Sequence, residues 1–393
     1  MNLPKIGIAL LILGACRAGS KHQDIEATTS QAHGSGGAPP SLDVSAGVGG
    51  YTPGGPPCEG DHAGIDEDED GWTGSEGDCN DCSPQMNPGA QEYPDNGADE
   101  DCNGAVDDVA SCDASLALDS SDPLDAALAI GICRVQSGES WGVVSAAYVT
   151  PDGAPLPNHL GHGLLDAFGP NVGPVEGVTM LALSSGAART PNQPGYHDVG
   201  GYAKGYTSGA PPGYPKESPA CPGVITGQPY DGAGLKISIR TPTNAQSFRF
   251  NVNFYTFEFP EYMCSTYNDY FVAMLDPILA GAADGNISYD EFGNPISVNA
   301  AFLRVCHAQM ASGSFFSCPL GPGQLAGTGF DAGDNSASTG WLETTAPVEA
   351  PGETITLLFT VWDSGDPVLD STVLVDDFRF AVEPADDPRT IPR

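Results

Sequence analysis

Asp66, Asp68 and Asp70 stand at alternate positions and Gly71 follows them; Asp99, Asp101 and Asn103 repeat the pattern and Gly104 follows. Alternate oxygen ligands with glycine at the sixth position wrap a hard cation such as Ca2+, because glycine permits the sharp turn. Position seven then contributes a backbone carbonyl, here from Trp72 and Ala105. The stretch from Cys58 to Asp113 that holds both loops is crowded with carboxylates and contains no Lys or Arg. That many like charges do not sit together in a folded segment unless something positive lies among them. Acidic, Gly-rich runs elsewhere are often disordered and solvating. Two in-phase copies interleaved with cysteines favour a metal instead.

Closure of each loop departs from the helix-loop-helix calcium site. The twelfth residue from Asp66 is Gly77, and from Asp99 it is Ala110, so neither loop carries the bidentate Glu. Closure falls to Asp78 and Asp81 in the first loop and to Asp107 or Asp108 in the second. A segment of about 55 residues with so few apolar groups needs staples. The expectation is a calcium-clamped, disulfide-stapled module over 58–113.

The order DxDxDGW…GDCND…P…NPGAxE…D…DxDCNG…DD resembles the MopE-type metal-binding repeat of bacterial surface proteins, over about 50 residues. The resemblance implies copper as a rival metal. Copper prefers imidazole or sulfur donors, and the segment holds only His62 and Met86 against many carboxylates. The ligand set ranks Ca2+ first.

The N-terminus reads as a secretion signal over 1–16. Lys5 supplies the positive charge, Ile6 to Leu13 the apolar run, and Leu13-Gly14-Ala15-Cys16 resembles a lipobox in which Cys16 is lipidated. The apolar run is too short for a permanent span. Arg17, not Asp, follows Cys16, which by resemblance to Gram-negative lipoprotein sorting implies the outer membrane, facing the cell surface or the periplasm. Membrane contact through lipidated Cys16 is the expected anchor. Residues 17–57 are Gly, Ser, Pro, Ala and Thr without periodicity and read as a flexible tether.

Eleven cysteines minus Cys16 leave ten, an even number suited to an oxidising compartment. Proximity suggests Cys112–Cys133, Cys221–Cys264 and Cys306–Cys318, with Cys58, Cys79, Cys82 and Cys102 pairing among themselves. The net charge of −37 argues against nucleic acid and anionic lipid as partners. With 51 Gly and 35 Pro, the composition fits a loop-rich, mainly β extracellular protein.

The elements that must position these residues follow. Asp122 to Gly131 reads as a short helix with Asp122 as cap and Pro123 at its first position, packing Leu124, Ala127 and Leu128. Strands are expected at 142–150, 178–183, 236–240, 247–259, 270–275, 354–362 and 372–382. In the fourth, Phe248, Phe250, Val252 and Phe254 face one way while Arg249, Asn251 and Asn253 face the other. The fold class is therefore mainly β: a jelly-roll-like antiparallel β-sandwich over 114–384 with a tail at 385–393, preceded by the irregular metal-binding module and the tether.

Two stretches of the sandwich carry chemistry. One offers Glu258, Glu261, Asn268 and Asp269 at the end of the most apolar strand. The other offers Asp363, Asp366, Asp370 and Asp376 between two strands. Carboxylates pinned beside a core are costly unless hydrogen-bonded or metal-bound, so a second cation or ligand site built by both loops is expected. These two stretches are similar to the choice-of-anchor L domain, a resemblance over roughly 120–383 that implies an extracellular module of bacterial surface proteins with variable anchors. No GxSxG elbow, P-loop or dinucleotide fingerprint occurs. The expected role is non-enzymatic: adhesion to a surface glycan or protein, or envelope structure. A secreted carbohydrate-active hydrolase using Glu258 and Glu261 or the Asp363–Asp377 cluster is the alternative, and a copper-binding surface protein the third.

Overall fold

The structure is a computed structural model that describes residues 64–393 apart from 110, 111, 115 and 301. Expectations that fall on the signal, Cys16, the tether, Cys58 and His62 lie outside the described residues. All described residues belong to one compact unit.

Fifteen strands follow one helix, α1 (Pro123–Ala129). The first seven are β1 (Gly142–Val149), β2 (His162–Leu165), β3 (Met180–Ser184), β4 (Pro229–Arg240), β5 (Ser247–Thr256), β6 (Tyr270–Asp276) and β7 (Ile296–Ser297). Four short ones come next: β8 (Val305–Cys306), β9 (Gln309–Ala311), β10 (Ser314–Phe316) and β11 (Ala337–Ser338). The last four are β12 (Leu342–Pro347), β13 (Thr354–Ser364), β14 (Ser371–Ala381) and β15 (Arg389–Pro392). One large sheet runs β1-β4-β13-β6-β7 and the other β15-β12-β5-β14-β3-β2, with β11 on β5 and β8 on β11, and β9-β10 form a separate hairpin; the pairing is antiparallel throughout. Long strands alternate between the sheets along the chain, the crossing habit of a jelly roll.

The alternation in β5 sets the core. Phe248, Phe250, Val252 and Phe254 are buried and meet Leu235, Ile237, Leu357 and Phe359 of the opposite sheet. Phe250 and Phe359 touch edge to face, with ring centroids 5.0 Å apart. The other face of β5 is not solvated as a simple alternation implies. Asn251, Asn253 and Tyr255 are buried too: Phe168 and Phe330, carried on long loops, pack on Tyr255 at 4.9 and 5.5 Å, Asn253 is bonded to Tyr255 and Ser338, and Asn251 to Asp377. β5 ends at Thr256, short of Phe259. Glu258 N–H turns back onto Thr256 Oγ1 at 3.2 Å, and Pro260 has no N–H to give a ladder.

The helix forms where its signals lie, with Asp122 Oδ1 accepting Leu124 N–H at 2.9 Å. It buries Ala126, Ala127 and Ala129, while Leu124 and Leu128 are half-buried. Disulfides join Cys79–Cys102, Cys112–Cys133, Cys221–Cys264 and Cys306–Cys318, and Cys82 is disulfide-bonded as well.

The acidic segment is docked on the sandwich through polar bonds. Thr243 Oγ1 meets Asn87 Oδ1 at 2.6 Å, and Asn244 Oδ1 accepts Gln91 N–H at 3.1 Å. Gln91 in turn reaches Phe380 O at 3.1 Å. These bonds substitute for the hydrophobic core that the segment lacks.

Candidate metal centre

The two Asp-rich loops fold alike. Gly71 N–H donates to Asp66 Oδ2 at 3.0 Å, and Gly104 N–H donates to Asp99 Oδ2 at 2.9 Å. Trp72 N–H reaches Asp70 Oδ1 and Ala105 N–H reaches Asn103 Oδ1, both at 2.8 Å. Positions one, five, six and seven are thus fixed identically in both by these N–H donors. Gly71 and Gly104 have φ of 95° and 91°, which is why glycine stands there.

Asp66, Asp68 and Asp70 bring carboxylate oxygens within 4.8 Å of one another, and so do Asp68, Asp78 and Asp81. Asp68 is common to both groups. Asp66 Oδ1, Asp68 Oδ2, Asp78 Oδ2 and Asp81 Oδ2 are all buried without a hydrogen-bond donor. Their partner oxygens are spent on the backbone: Asp70 N–H on Asp68, Asn80 N–H on Asp78 and Glu67 N–H on Asp81. Each of these four carboxylates thus has one oxygen held by protein and one left bare, and Asp68, shared by both triplets, offers with Asp78 and Asp81 an all-oxygen donor set suited to a hard cation. Asp70 is fully occupied, by Trp72 and by Asn87 Nδ2 at 2.7 Å.

Asp68, Asp70 and Asp78 hold protons more tightly than an ordinary carboxylate. Burial, reinforced by the charge of Asp68, pushes Asp70 up to about 7. Burial with the charges of Asp68, Asp81 and Asp66 pushes Asp78 up to about 6, and burial raises Asp68.

The second loop closes differently from expectation. Asp107 does not turn inward: its carboxylate accepts Asn96 N–H at 3.0 Å and Gly97 N–H at 3.2 Å, capping the preceding turn. Asp108 stays beside Asn103 Nδ2 at 3.3 Å. The third carboxylate comes from Glu92, which joins Asp99 and Asp101 within 4.8 Å. Sequence reading missed Glu92 because it reaches the loop from upstream, where a twelve-residue count does not look. Its Oε1 accepts Asp101 N–H at 3.0 Å, and its Oε2 is buried without a donor. Asp101 is also claimed by Arg134, 2.8 Å away.

Residues 78–108 match the family described as "putative metal-binding motif", Cu-binding MopE. The match covers the closing acids of the first loop and all of the second. A search of curated proteins found no match. The family and the geometry agree on a metal-binding segment. As to sulfur, Met86 Sδ accepts Asn80 Nδ2 at 3.6 Å.

Of the acids expected in the sandwich site, the fold gathers Glu258, Asp269, Asp363 and Asp370, all buried. It leaves the rest elsewhere. Glu261 is exposed and takes a hydrogen bond from Asn335 Nδ2. Asp366 caps its own turn at Val368 N–H, 3.1 Å. Asp376 lies in mid-strand and accepts Val175 N–H at 2.5 Å. Asn268 Oδ1 holds Asn299 N–H at 3.1 Å. Glu258 and Glu261, the pair an acid-base mechanism would need, therefore occupy different environments, one buried and one exposed. Among histidines, His162 stacks on Tyr148 and His197 on Tyr202, each with centroids 3.7 Å apart, and none joins an acid cluster among the described residues.

Proposed function

We propose that the chain is a lipid-anchored bacterial cell-surface protein whose acidic module is folded and stiffened by Ca2+, and whose β-sandwich binds a glycan or protein partner or serves envelope structure without catalysis. The observation that carries the calcium reading is the convergence of Asp68, Asp78 and Asp81 within 4.8 Å, each with one buried oxygen left bare, beside the equally bare Asp66 Oδ1. Such a set is hard, anionic and free of nitrogen and sulfur, which suits Ca2+. A cation supplies the charge that the set lacks and removes its self-repulsion. The anchoring part rests on the lipobox at Cys16, and the surface role on the resemblance to choice-of-anchor L modules.

The matched family's name includes copper, and this supports a second reading. Copper would draw on sulfur or imidazole, so Met86 and His62 are its test residues. Calorimetric titration of the full chain with Ca2+ and, separately, with Cu(I) and Cu(II) decides between them. Expected are Ca2+ binding that Asp68→Ala abolishes in the first loop and that Met86→Ala leaves intact. Copper binding lost in Met86→Ala, with no Ca2+ binding, overturns the calcium reading. Protease resistance that ignores chelator overturns the stiffening role. Metabolic labelling with a fatty acid, lost in Cys16→Ala, tests the anchor.

A further inference from the structure

A second, separate group of acids lies at one end of the sandwich. Asp363 is the penultimate residue of β13 and Asp370 immediately precedes β14. Asp269 immediately precedes β6, and Glu258 follows β5. Register brings them together. Trp362 pairs with Tyr270, so Asp363 comes beside Asp269, one step on. Ser371 pairs with Thr256, so Asp370 faces the turn that carries Glu258. Two strand ends from each sheet thus contribute one acid apiece. All four are 2% exposed or less.

Their hydrogen bonding divides them. Asp269 is fully used: Oδ1 accepts Ser364 N–H at 3.0 Å and Oδ2 accepts Ser371 Oγ–H at 2.6 Å. It thereby fixes the residues that directly follow Asp363 and Asp370. Those two acids have no donor within hydrogen-bonding distance on either oxygen, because Ser185, beside Asp363, gives its hydroxyl to Ser371 O at 3.1 Å, and Glu258 Oε2 has none either. Ser364 Oγ, 1% exposed, also lacks a partner. Lys204 faces Asp363 and Asp370, but its Nζ is spent on Ser184 O at 2.7 Å and reaches neither carboxylate within hydrogen-bonding distance. One ammonium, shared with the buried Asp231 as well, against these four buried carboxylates leaves a negative charge that a folded interior does not carry alone.

We propose that Asp363, Asp370 and Glu258 bind one Ca2+-class divalent cation at this end of the sandwich, with Asp269 as the positioning residue. Among the described residues, the groups of three carboxylates with ligand atoms within 4.8 Å of one another are all in the acidic segment. At the sandwich end Asp363 lies against Asp269, no three ligand atoms are yet that close, and the cation draws them in. Ser364 Oγ is the neutral oxygen nearest in sequence to complete the shell. Gly186 belongs to the same construction: a Cβ there would fall 1.8 Å from Asp370 Oδ2, so only glycine lets the β3 end lie against that carboxylate. A cation so placed ties β5 and β14 of one sheet to β6 and β13 of the other.

The test uses the full chain with Asp68→Ala and Asp101→Ala, which disable the acidic loops, and Ca2+ and Tb3+ as probes. Trp362 adjoins Asp363 and is fully buried, so bound Tb3+ should emit on indole excitation. Expected are one Ca2+ per chain in this background and Tb3+ emission that Trp362→Phe lowers several-fold. Adding Asp363→Asn and Asp370→Asn should abolish both. The same pair of substitutions in the otherwise unaltered chain should remove one cation and leave those of the acidic loops. Relief of repulsion should raise the melting midpoint of the asparagine variant above that of its parent in chelator, which reports that it folds. No cation in the loop-disabled background, or binding that survives Asp363→Asn and Asp370→Asn, overturns the site and leaves protons to neutralise the cluster. An unchanged stoichiometry on Asp68→Ala and Asp101→Ala would instead count against the acidic loops, so either site can fail alone.

Discussion

Asp66 and Asp99 occupy equivalent stations: each carboxylate accepts the N–H of the glycine five residues on, at 3.0 and 2.9 Å. The two loops are thus one device used twice, 33 residues apart by their numbering. The Cys79–Cys102 disulfide joins them, since Cys79 follows Asp78 and Cys102 lies between Asp101 and Asn103. A residue that fixes one loop should therefore have a counterpart in the other.

The glycines are the cleanest test of that symmetry. A Cβ at Gly71 or Gly104 meets nothing within 4 Å, so only the left-handed backbone opposes a side chain. Alanine at such a φ costs roughly 1–2 kcal/mol. Gly71→Ala should weaken the first site, and Gly104→Ala the second, each by about tenfold. Calorimetric titration of each variant checks this. Equal loss at both sites from one substitution would mean that the disulfide couples the loops tightly.

Protons and the cation compete in the first loop. Asp70 is pushed up to about 7 and Asp78 to about 6, chiefly by burial, in the metal-free chain. A cation takes Asp78 in its ionised form and favours ionised Asp70 beside it by charge alone, so affinity should rise from pH 5.5 to pH 7.5, and binding near pH 6.5 should release protons. Titration in two buffers of different ionisation enthalpy measures the release. The sign for stability follows the same rule. Acids with raised folded values destabilise the metal-free chain above about 4, the unfolded value, and most fully above about 7. The chelated chain should melt higher at pH 5 than at pH 8, and added Ca2+ should erase that difference.

What the sequence makes legible depends on how local the determinant is. Asp66 to Gly71 and Asp99 to Gly104 are local, because six residues define each loop. Glu92 was not legible, since it reaches the second loop across an intervening turn. Phe248 to Phe254 announce β5 by their period, but nothing in that period tells that Phe168 and Phe330 will cover Tyr255. Strands of two or three residues, such as β7 and β11, are too short to carry any period. At the sandwich end the acids were visible as residues, while their grouping was not. Asp269 finds Ser371 102 positions away, and only the pairing of strands determines such a contact. Asp376 shows the converse: near Asp370 in sequence, it lies six residues further along β14 and serves Val175 instead.

His162 gives a pH signature on the sandwich itself. It is buried, stacked on Tyr148, and held down to about 4 by burial and by the charge of Arg189. A histidine with a depressed folded value contributes stability above its unfolded value of about 6.5, and that contribution is lost as pH falls toward about 4. The loss amounts to about 3 kcal/mol at most. His162→Phe keeps a ring against Tyr148 and cannot titrate. Its denaturant midpoint should fall less than that of the parent between pH 6.5 and 4. Parallel curves would mean that His162 is protonated in the folded chain.

Arg134 sets the balance at the second loop. Its guanidinium lies 2.8 Å from Asp101 Oδ2 and 5.7 Å above the Trp141 ring. It is the sandwich-side partner of an acid that the cation also needs, so the ion pair and the metal compete for one carboxylate. Arg134→Gln should remove the competitor and tighten second-loop binding by about tenfold. It should leave the first loop unaltered, because Asp70 is tied to the sandwich by a separate path through Asn87 and Thr243. The same change strands Asp101, whose side chain is 4% exposed. The chelated variant should then lose roughly 1–3 kcal/mol of stability, which saturating Ca2+ restores. Melting with and without chelator, together with titration, separates the two effects. Weaker binding in Arg134→Gln would mean that the guanidinium aims Asp101 at the cation and does not contest it.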